Sequence, residues 1–175
     1  MDKSQLFFND LRQFGFLQIV TSTQLAEITA KFGVEPLDND FSYEKFNKII
    51  EKHLEKNIKS FLLDQSLIAG IGNIYADEIL FVTQVSPHNK VKNLTKKKRH
   101  KMFVAIKDIL KKAIKYRGTT FNNFVDTKGQ KGSFLQFLKV YSRGGQPCLE
   151  CENILRKEKI AGRGTVWCER CQKKK

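Results

Sequence analysis

Cys148-x2-Cys151 and Cys168-x2-Cys171, separated by sixteen residues, constrain this chain more than any other feature. Two Cys-x2-Cys knuckles at that spacing supply four thiolates from two tight turns, the donor set that tetrahedral Zn2+ takes. Four cysteine ligands close the coordination sphere, so one structural Zn2+ holding a β-ribbon is expected, with no open position for catalysis. Thioredoxin-like redox chemistry is disfavoured, because that motif sits at a strand-to-helix turn of a βαβ unit absent here. Four cysteines in 175 residues without a signal sequence are too few for a disulfide scaffold. A metal site in a reducing cytosol fits them better.

Charge is the second constraint. The chain carries 32 Lys and Arg against 18 Asp and Glu, a formal net charge of +14. Residues 1–56 hold seven basic and nine acidic side chains, so all of the excess lies in the last two thirds. A polyanionic partner is implied, either nucleic acid or an anionic membrane surface. No apolar run approaches the ~18 residues that a span needs, which leaves nucleic acid as the better partner.

Helical periods and breakers divide the rest. Leu6-Phe7-Phe8 and residues 14–20 are β-prone runs flanking a turn and read as two strands. Two strands alone make a poor domain, so they look like the end of a larger sheet. Thr21, Ser22 and Thr23 precede a helix over 24–32 with Leu25, Ile28 and Phe32 on one face and Gly33 as its stop. Ser42 caps a second helix bearing Phe46, Ile49, Ile50 and His53. A third carries Ile58, Phe61, Leu62 and Leu63, and a fourth runs from Ile74 to Val82. Thr95 caps the longest helix, with a core stripe at Phe103, Ile106, Ile109, Leu110, Ala113 and Ile114. Its outer faces hold ten basic residues against Asp108 alone, enough for sequence-independent phosphate attraction. Residues 118–133 form a polar loop, of a length that usually serves function. Residues 134–141 fit either helix or strand.

Two short motifs could meet phosphate. Gly70-Ile71-Gly72-Asn73 opens the fourth helix, whose free backbone N–H groups and Asn amide can hold an anion while the glycines leave it room. Gly162-Arg163-Gly164, between the knuckles, can present a guanidinium to a phosphate, although a plain hairpin tip with a solvated Arg fits equally well. Asp77 and Glu78 diverge by about 100° on their helix and cannot converge on one atom, so each is expected to hold a different loop. His53, His88 and His100 are scattered, and no nucleophile and base set is evident.

Read together and in order, several segments resemble the formamidopyrimidine-DNA glycosylase and endonuclease VIII family. They are Leu62-Leu63-Asp64-Gln65, residues 69–78, Gly118-Thr119-Thr120, Val140-Tyr141-Ser142-Arg143, Pro147-Cys148 and Gly162-Arg163-Gly164-Thr165 before Cys168. Residues 9–15 are similar to that family's D-x-R-x-F-G turn, with Gln13 where a second Arg is common. The resemblance implies a mainly α chain with a little β: a remnant of an N-terminal β-sandwich over 1–21, a helix-two-turn-helix DNA-binding domain over 22–143, and a zinc finger over 144–175. It implies DNA contacts from Asn73, Arg163, Gly70, Gly72, Arg12, Phe14 and Arg143. Thr119, Thr120 and Tyr141 would cover a flipped base, in the manner of the formamidopyrimidine branch.

The activity implied is base-excision repair by a DNA glycosylase with AP lyase chemistry, on duplex DNA bearing an oxidised purine or an abasic site. A monomer in the cytoplasm, associated with the nucleoid and not with membrane, is expected. The family's nucleophile is an N-terminal proline amine followed by an acidic residue, whereas residue 2 here is Asp2. The chain therefore reads as the binding part of a longer enzyme, inactive alone. One competing reading is a module that binds damaged or abasic DNA without cutting it. The other, an RNA- or ribosome-associated zinc ribbon, leaves Gly70 to Asn73 unexplained.

Overall fold

The structure, a computed structural model, describes residues 7–8, 13–119 and 132–173. Among them the chain divides into two units, one up to Lys31 and one from Phe32 onward.

In the first unit, α1 spans Ser22–Thr29 behind a capping box, in which Thr21 and Gln24 each accept from the other's backbone N–H. It buries none of its own residues, and Leu25 is 52% exposed. Residues 14–20 form no strand, and the one sheet among the described residues is the ribbon near the end of the chain. A β-prone run needs a partner's ladder to become a strand, and here Phe16, Leu17 and Ile19 stay in solvent. The Leu6 end of the other predicted strand lies outside the described residues.

The predicted helix over 24–32 ends three residues early. Phe32 belongs to the second unit and is exposed. Gly33 is needed for close approach and not as a helix stop. Its N–H donates to the Gln65 carbonyl at 2.8 Å, and a Cβ there would lie 2.3 Å from the backbone of Leu67.

The second unit is built on α4, Asn73–Val82, which packs against α3 (Ile58–Leu63), α5 (Lys96–Lys115) and the strand β2 (Arg163–Trp167). Enclosure on three sides explains why α4 is apolar around most of its circumference, with Ala76, Ile79, Leu80 and Phe81 all buried. α2, Tyr43–Glu51, lies on α5 and contributes Phe46 and Ile50 to the main core beside Phe61, Leu62 and Ile106. Ser42 and Thr95 cap α2 and α5 as expected, accepting from Lys45 N and Lys98 N. Asn57, unforeseen, caps α3 through two backbone amides. The buried stripe of α5 is Met102, Ala105, Ile106, Leu110 and Ala113, with Ile114 left 67% exposed. Residues 134–137 settle into a 3-10 turn.

β1, Arg156–Ile160, pairs antiparallel with β2 through a two-residue turn at Ala161 and Gly162. Both turn residues have positive φ, at 53° and 74°, the geometry that matches the twist of tightly connected strands. A second apolar cluster joins this ribbon to the helices: Leu155, Val166, Cys148 and Cys168 pack with Phe81 of α4 and Val140.

Candidate nucleic-acid interface and metal centre

The four cysteines converge as the spacing required. Their Sγ atoms all lie within 4.8 Å of one another, with Cys148 to Cys171 at 3.9 Å and Cys151 to Cys168 at 3.4 Å. Zinc–sulfur bonds of ~2.3 Å put tetrahedral sulfur edges near 3.8 Å, so the donor set fits Zn2+. Backbone amides support the sulfurs: Glu150 N points at Cys148 Sγ and Cys171 N at Cys168 Sγ, each at 3.5 Å. Gln172 fixes the second knuckle in place. Its Oε1 accepts from Cys168 N, and its Nε2 donates to the Val85 carbonyl beyond α4, both at 2.9 Å.

The same ribbon delivers its hairpin to the start of α4. Asn73 Nδ2 donates to the Gly164 carbonyl at 2.9 Å, while Asn73 Oδ1 is buried with no partner. Arg163 is exposed beside this contact. Gly72 and Gly164 flank it. Neither has φ in the left-handed region, and a Cβ at either would meet no atom within 4 Å. No internal contact therefore requires glycine at either site. What the two glycines preserve is open space around Asn73, where a large anion can come within reach of the first N–H groups of α4. Gly70 differs, with φ of 81° and its N–H donating to Gln65 Oε1 at 2.9 Å. Gln65 Nε2 in turn donates to the Ile71 carbonyl, so this side chain shapes the turn from within.

Below the hairpin sits a buried ion pair that sequence reasoning missed. Lys59 Nζ donates to Asp77 Oδ1 at 2.6 Å, to Thr165 Oγ1 at 2.6 Å and to the Gly164 carbonyl at 3.2 Å. Asp77 Oδ2 accepts from Val166 N at 3.0 Å, and both charged side chains are fully buried. Burial pushes the Asp77 carboxyl up to about 6 against the pull of Lys59 and the Val166 amide. Burial likewise holds the Lys59 amine below its ordinary range, with Asp77 opposing. The Lys59 amine meets three acceptors, and both Asp77 carboxylate oxygens accept a hydrogen bond.

The raised carboxyl has a testable sign. Between its ordinary value of 3.8 and about 6, the folded chain binds a proton at Asp77 that the unfolded chain does not. This group's contribution to stability therefore falls as pH rises through that window. Urea unfolding of the parent minus that of Asp77→Asn should decline from pH 4 to pH 6, and a difference that rises would refute the shift.

Glu78, next along the helix, turns to another segment. Its carboxylate accepts from Lys139 N, Val140 N and Tyr141 N, each at 2.9 Å. Asp77 and Glu78 thus hold two different loops, as their divergence on the helix implied. Arg143 is a brace in this loop, donating to the carbonyls of Lys139 and Pro147 at 2.6 Å and 2.8 Å and to Gln146. Thr119 bridges to Ser133, which closes the base of the 118–133 loop, and its hydroxyl is buried without a partner. Tyr141 packs by that base with Ala113 and Phe134. Phe14 is 83% exposed in the first unit, and Arg12 and Thr120 lie outside the described residues. The histidines do not cluster. His88 meets Glu158 at 3.0 Å, and His100 makes an edge-to-face contact with Tyr43. Among the described residues no helix is long and apolar enough to cross a membrane.

Comparison with known proteins adds an independent line. Residues 32–125 match the family described as Formamidopyrimidine-DNA glycosylase H2TH domain, and residues 145–174 match Zinc finger found in FPG and IleRS. The formamidopyrimidine-DNA glycosylase of Carboxydothermus hydrogenoformans is 46% identical over 169 residues, covering 97% of this chain and 61% of the relative. That of Lactobacillus delbrueckii subsp. bulgaricus is 39% identical over 175 residues, covering 99% of this chain and 64% of the relative. Among solved structures, Lactococcus lactis Fpg in complex with DNA containing an abasic site superposes with a TM-score of 0.86 at 35% identity, over 94% of this chain and 61% of that one. The MutM (Fpg) protein of Thermus thermophilus gives 0.79 at 33% identity, over 86% and 57%. The chain thus spans about three fifths of the relatives it matches.

Proposed function

Because the chain belongs to the formamidopyrimidine-DNA glycosylase family, we propose that it is the damaged-DNA clamp of a base-excision-repair glycosylase and AP lyase acting on oxidised purines. The observation that carries this reading is the junction of Gly72-Asn73 with Arg163-Gly164. Two segments 91 residues apart in sequence bring an amide, a guanidinium and a helix N-terminus to one open face. Asn73 and Arg163 grip phosphates on either side of the damaged nucleotide. A base in duplex DNA must leave the stack before its glycosidic bond can be reached, and a rigid grip on the flanking phosphates stabilises that bent, opened state. Arg12 and Phe14 fill the vacated space, and the loop over 119–132 with Tyr141 covers the extruded base. The helical domain extends over 22–143 and the zinc finger over 144–175, acting on DNA as a monomer.

The covalent step requires a neutral amine at C1′ of the sugar. Burial holds the Lys59 amine low, but it is fully enclosed and donates to three internal acceptors. We therefore assign the nucleophile to none of the described residues, and this chain alone binds without cutting. Borohydride treatment with abasic duplex should leave no covalent adduct.

Gly72→Val provides the sharpest test of the clamp. With φ of −93° and nothing within 4 Å, a side chain fits the folded chain, so thermal stability should change little. Affinity for abasic duplex should fall by tenfold or more, on the order of the 1.4 kcal/mol that one blocked phosphate contact represents. Asn73→Ala and Arg163→Ala should fall similarly. Unchanged affinity in all three would remove the junction from the binding face.

A further inference from the structure

α5 opposes a rule that α2 keeps. A helix N-terminus carries partial positive charge, so acidic side chains favour the first turn and basic ones disfavour it. α2 has Glu44 there, whereas α5 opens on Lys96, Lys97, Lys98 and Arg99 with no acidic residue in the turn. Two of these four serve the fold. Lys98 Nζ donates to the carbonyls of Thr83 and Gln84 at the far end of α4, at 2.6 Å and 3.2 Å. Arg99 donates to the Leu94 carbonyl and to Asn47. Lys96, Lys97 and Lys101 are exposed and enter none of the ion pairs found among the described residues.

Tertiary structure gathers further cations around them. Lys173, from the chain's last described position, lines a shallow cleft with Lys98 and Gln84. Lys139 lines the neighbouring cleft with Lys101, where the acid is Glu150, already paired with Lys139 at 2.7 Å. Three separate segments thus build one basic patch at the Val82 end of α4. Asn73 and the hairpin stand at the other end, about 14 Å away along the helix axis at 1.5 Å per residue.

We propose that Lys96, Lys97, Lys101 and Lys173 hold the sugar-phosphate backbone of a second duplex segment while the clamp at the opposite end of α4 holds the damaged one. The proposal rests on the DNA-binding reading above. Contact with backbone alone is sequence-independent, which suits a surface that docks undamaged DNA and lets the chain pass between segments. The four lysines, on two segments and none of them aimed at a base-reading element, provide that kind of contact.

The test uses the whole chain and the triple variant Lys96→Glu, Lys97→Glu, Lys101→Glu. Glutamate at 96 and 97, in the first turn, complements the helix dipole, and position 101 is exposed one turn on, so the unfolding temperature should hold or rise, which separates lost binding from lost folding. A short abasic duplex on beads captures the chain, and a longer fluorescent undamaged duplex is offered in solution. The parent should co-capture the second duplex, with a salt slope about 2.7 units steeper than the variant's if three phosphate contacts are removed. The variant should lose at least tenfold of that co-capture yet change affinity for the short abasic duplex by less than twofold.

Undiminished co-capture by the variant would overturn the proposal. So would an equal loss on the short duplex, which would place the patch on the clamped DNA itself. Co-capture of phosphatidylglycerol vesicles in place of duplex would assign the patch to a membrane surface instead. A parent chain unable to hold even the abasic duplex would sink the clamp reading first, and the second-segment proposal with it.

Discussion

Cys168→Ser is expected to release zinc, unfold the ribbon and abolish binding to abasic duplex, while most of the helical signal survives. Cys168 is fully buried, its sulfur lies 3.4 Å from that of Cys151, and its own N–H is tied to Gln172. A serine oxygen is a harder and shorter-reaching donor, poorly suited to complete a four-sulfur site. Structural zinc contributes roughly 10–16 kcal/mol of apparent binding free energy to small metal-nucleated folds, far more than a two-stranded hairpin can supply alone. The ribbon's apolar cluster is small and built around two of the ligands, Cys148 and Cys168. The main core, from Phe41 to Leu110, includes no ribbon residue, so α2 to α5 should persist. Zinc content by mass spectrometry, far-UV dichroism and affinity for abasic duplex together check the result. A variant that keeps one zinc per chain, or parent-like affinity, would contradict the arrangement. Chelation of the parent should reproduce the variant's behaviour and reverse when zinc is restored.

Lys59→Met should cost about 3–5 kcal/mol, because it leaves Asp77 as a buried charge without its partner. That is a large share of the roughly 5–15 kcal/mol available to a domain of ordinary stability. The damage should also reach DNA binding, since Lys59 holds the Gly164 carbonyl and the Thr165 hydroxyl and so sets the hairpin that presents Arg163. Adding Asp77→Asn should recover more than half of the lost stability. The neutral amide removes the stranded charge while its oxygen still accepts from Val166 N. Denaturant unfolding of the two single variants and the double gives the coupling directly. Strict additivity would mean that the two groups act independently, contrary to their 2.6 Å contact. Affinity for abasic duplex should recover less than stability, because the double variant still lacks the ammonium that grips the hairpin.

These two expectations differ in how far the sequence foretold them. The zinc site depends on four cysteines whose spacing alone implies convergence, and the four sulfurs meet as that spacing requires. Helix starts at Ser42 and Thr95 were legible for the same kind of reason, since an N-cap acts on amides two or three residues away. The split duty of Asp77 and Glu78 followed from helix geometry. Lys59 was invisible because its partners Gly164 and Thr165 lie more than a hundred residues downstream, and in sequence it is one more lysine in a basic chain. Gln172 escaped notice likewise, and Gln65 stood out only as part of a motif, since each fixes a turn through long side-chain amide contacts that no local pattern spells out. Residues 14–20 erred the other way: their β propensity is plain, but a strand is a property of two segments, and this one joins no sheet among the described residues.

The sequence by itself determined the zinc ligands, the helical frame, the basic excess and the two glycine motifs, because each follows from short-range spacing or simple counting. Only the tertiary structure decided that the glycine motifs share one face, that a buried Lys59–Asp77 pair fastens α4 to the hairpin, and that lysines from three segments meet at the opposite end of the same helix. Those are relations between residues far apart in the chain, set by how α4 is enclosed by α3, α5 and β2, and packing of that kind leaves no local trace.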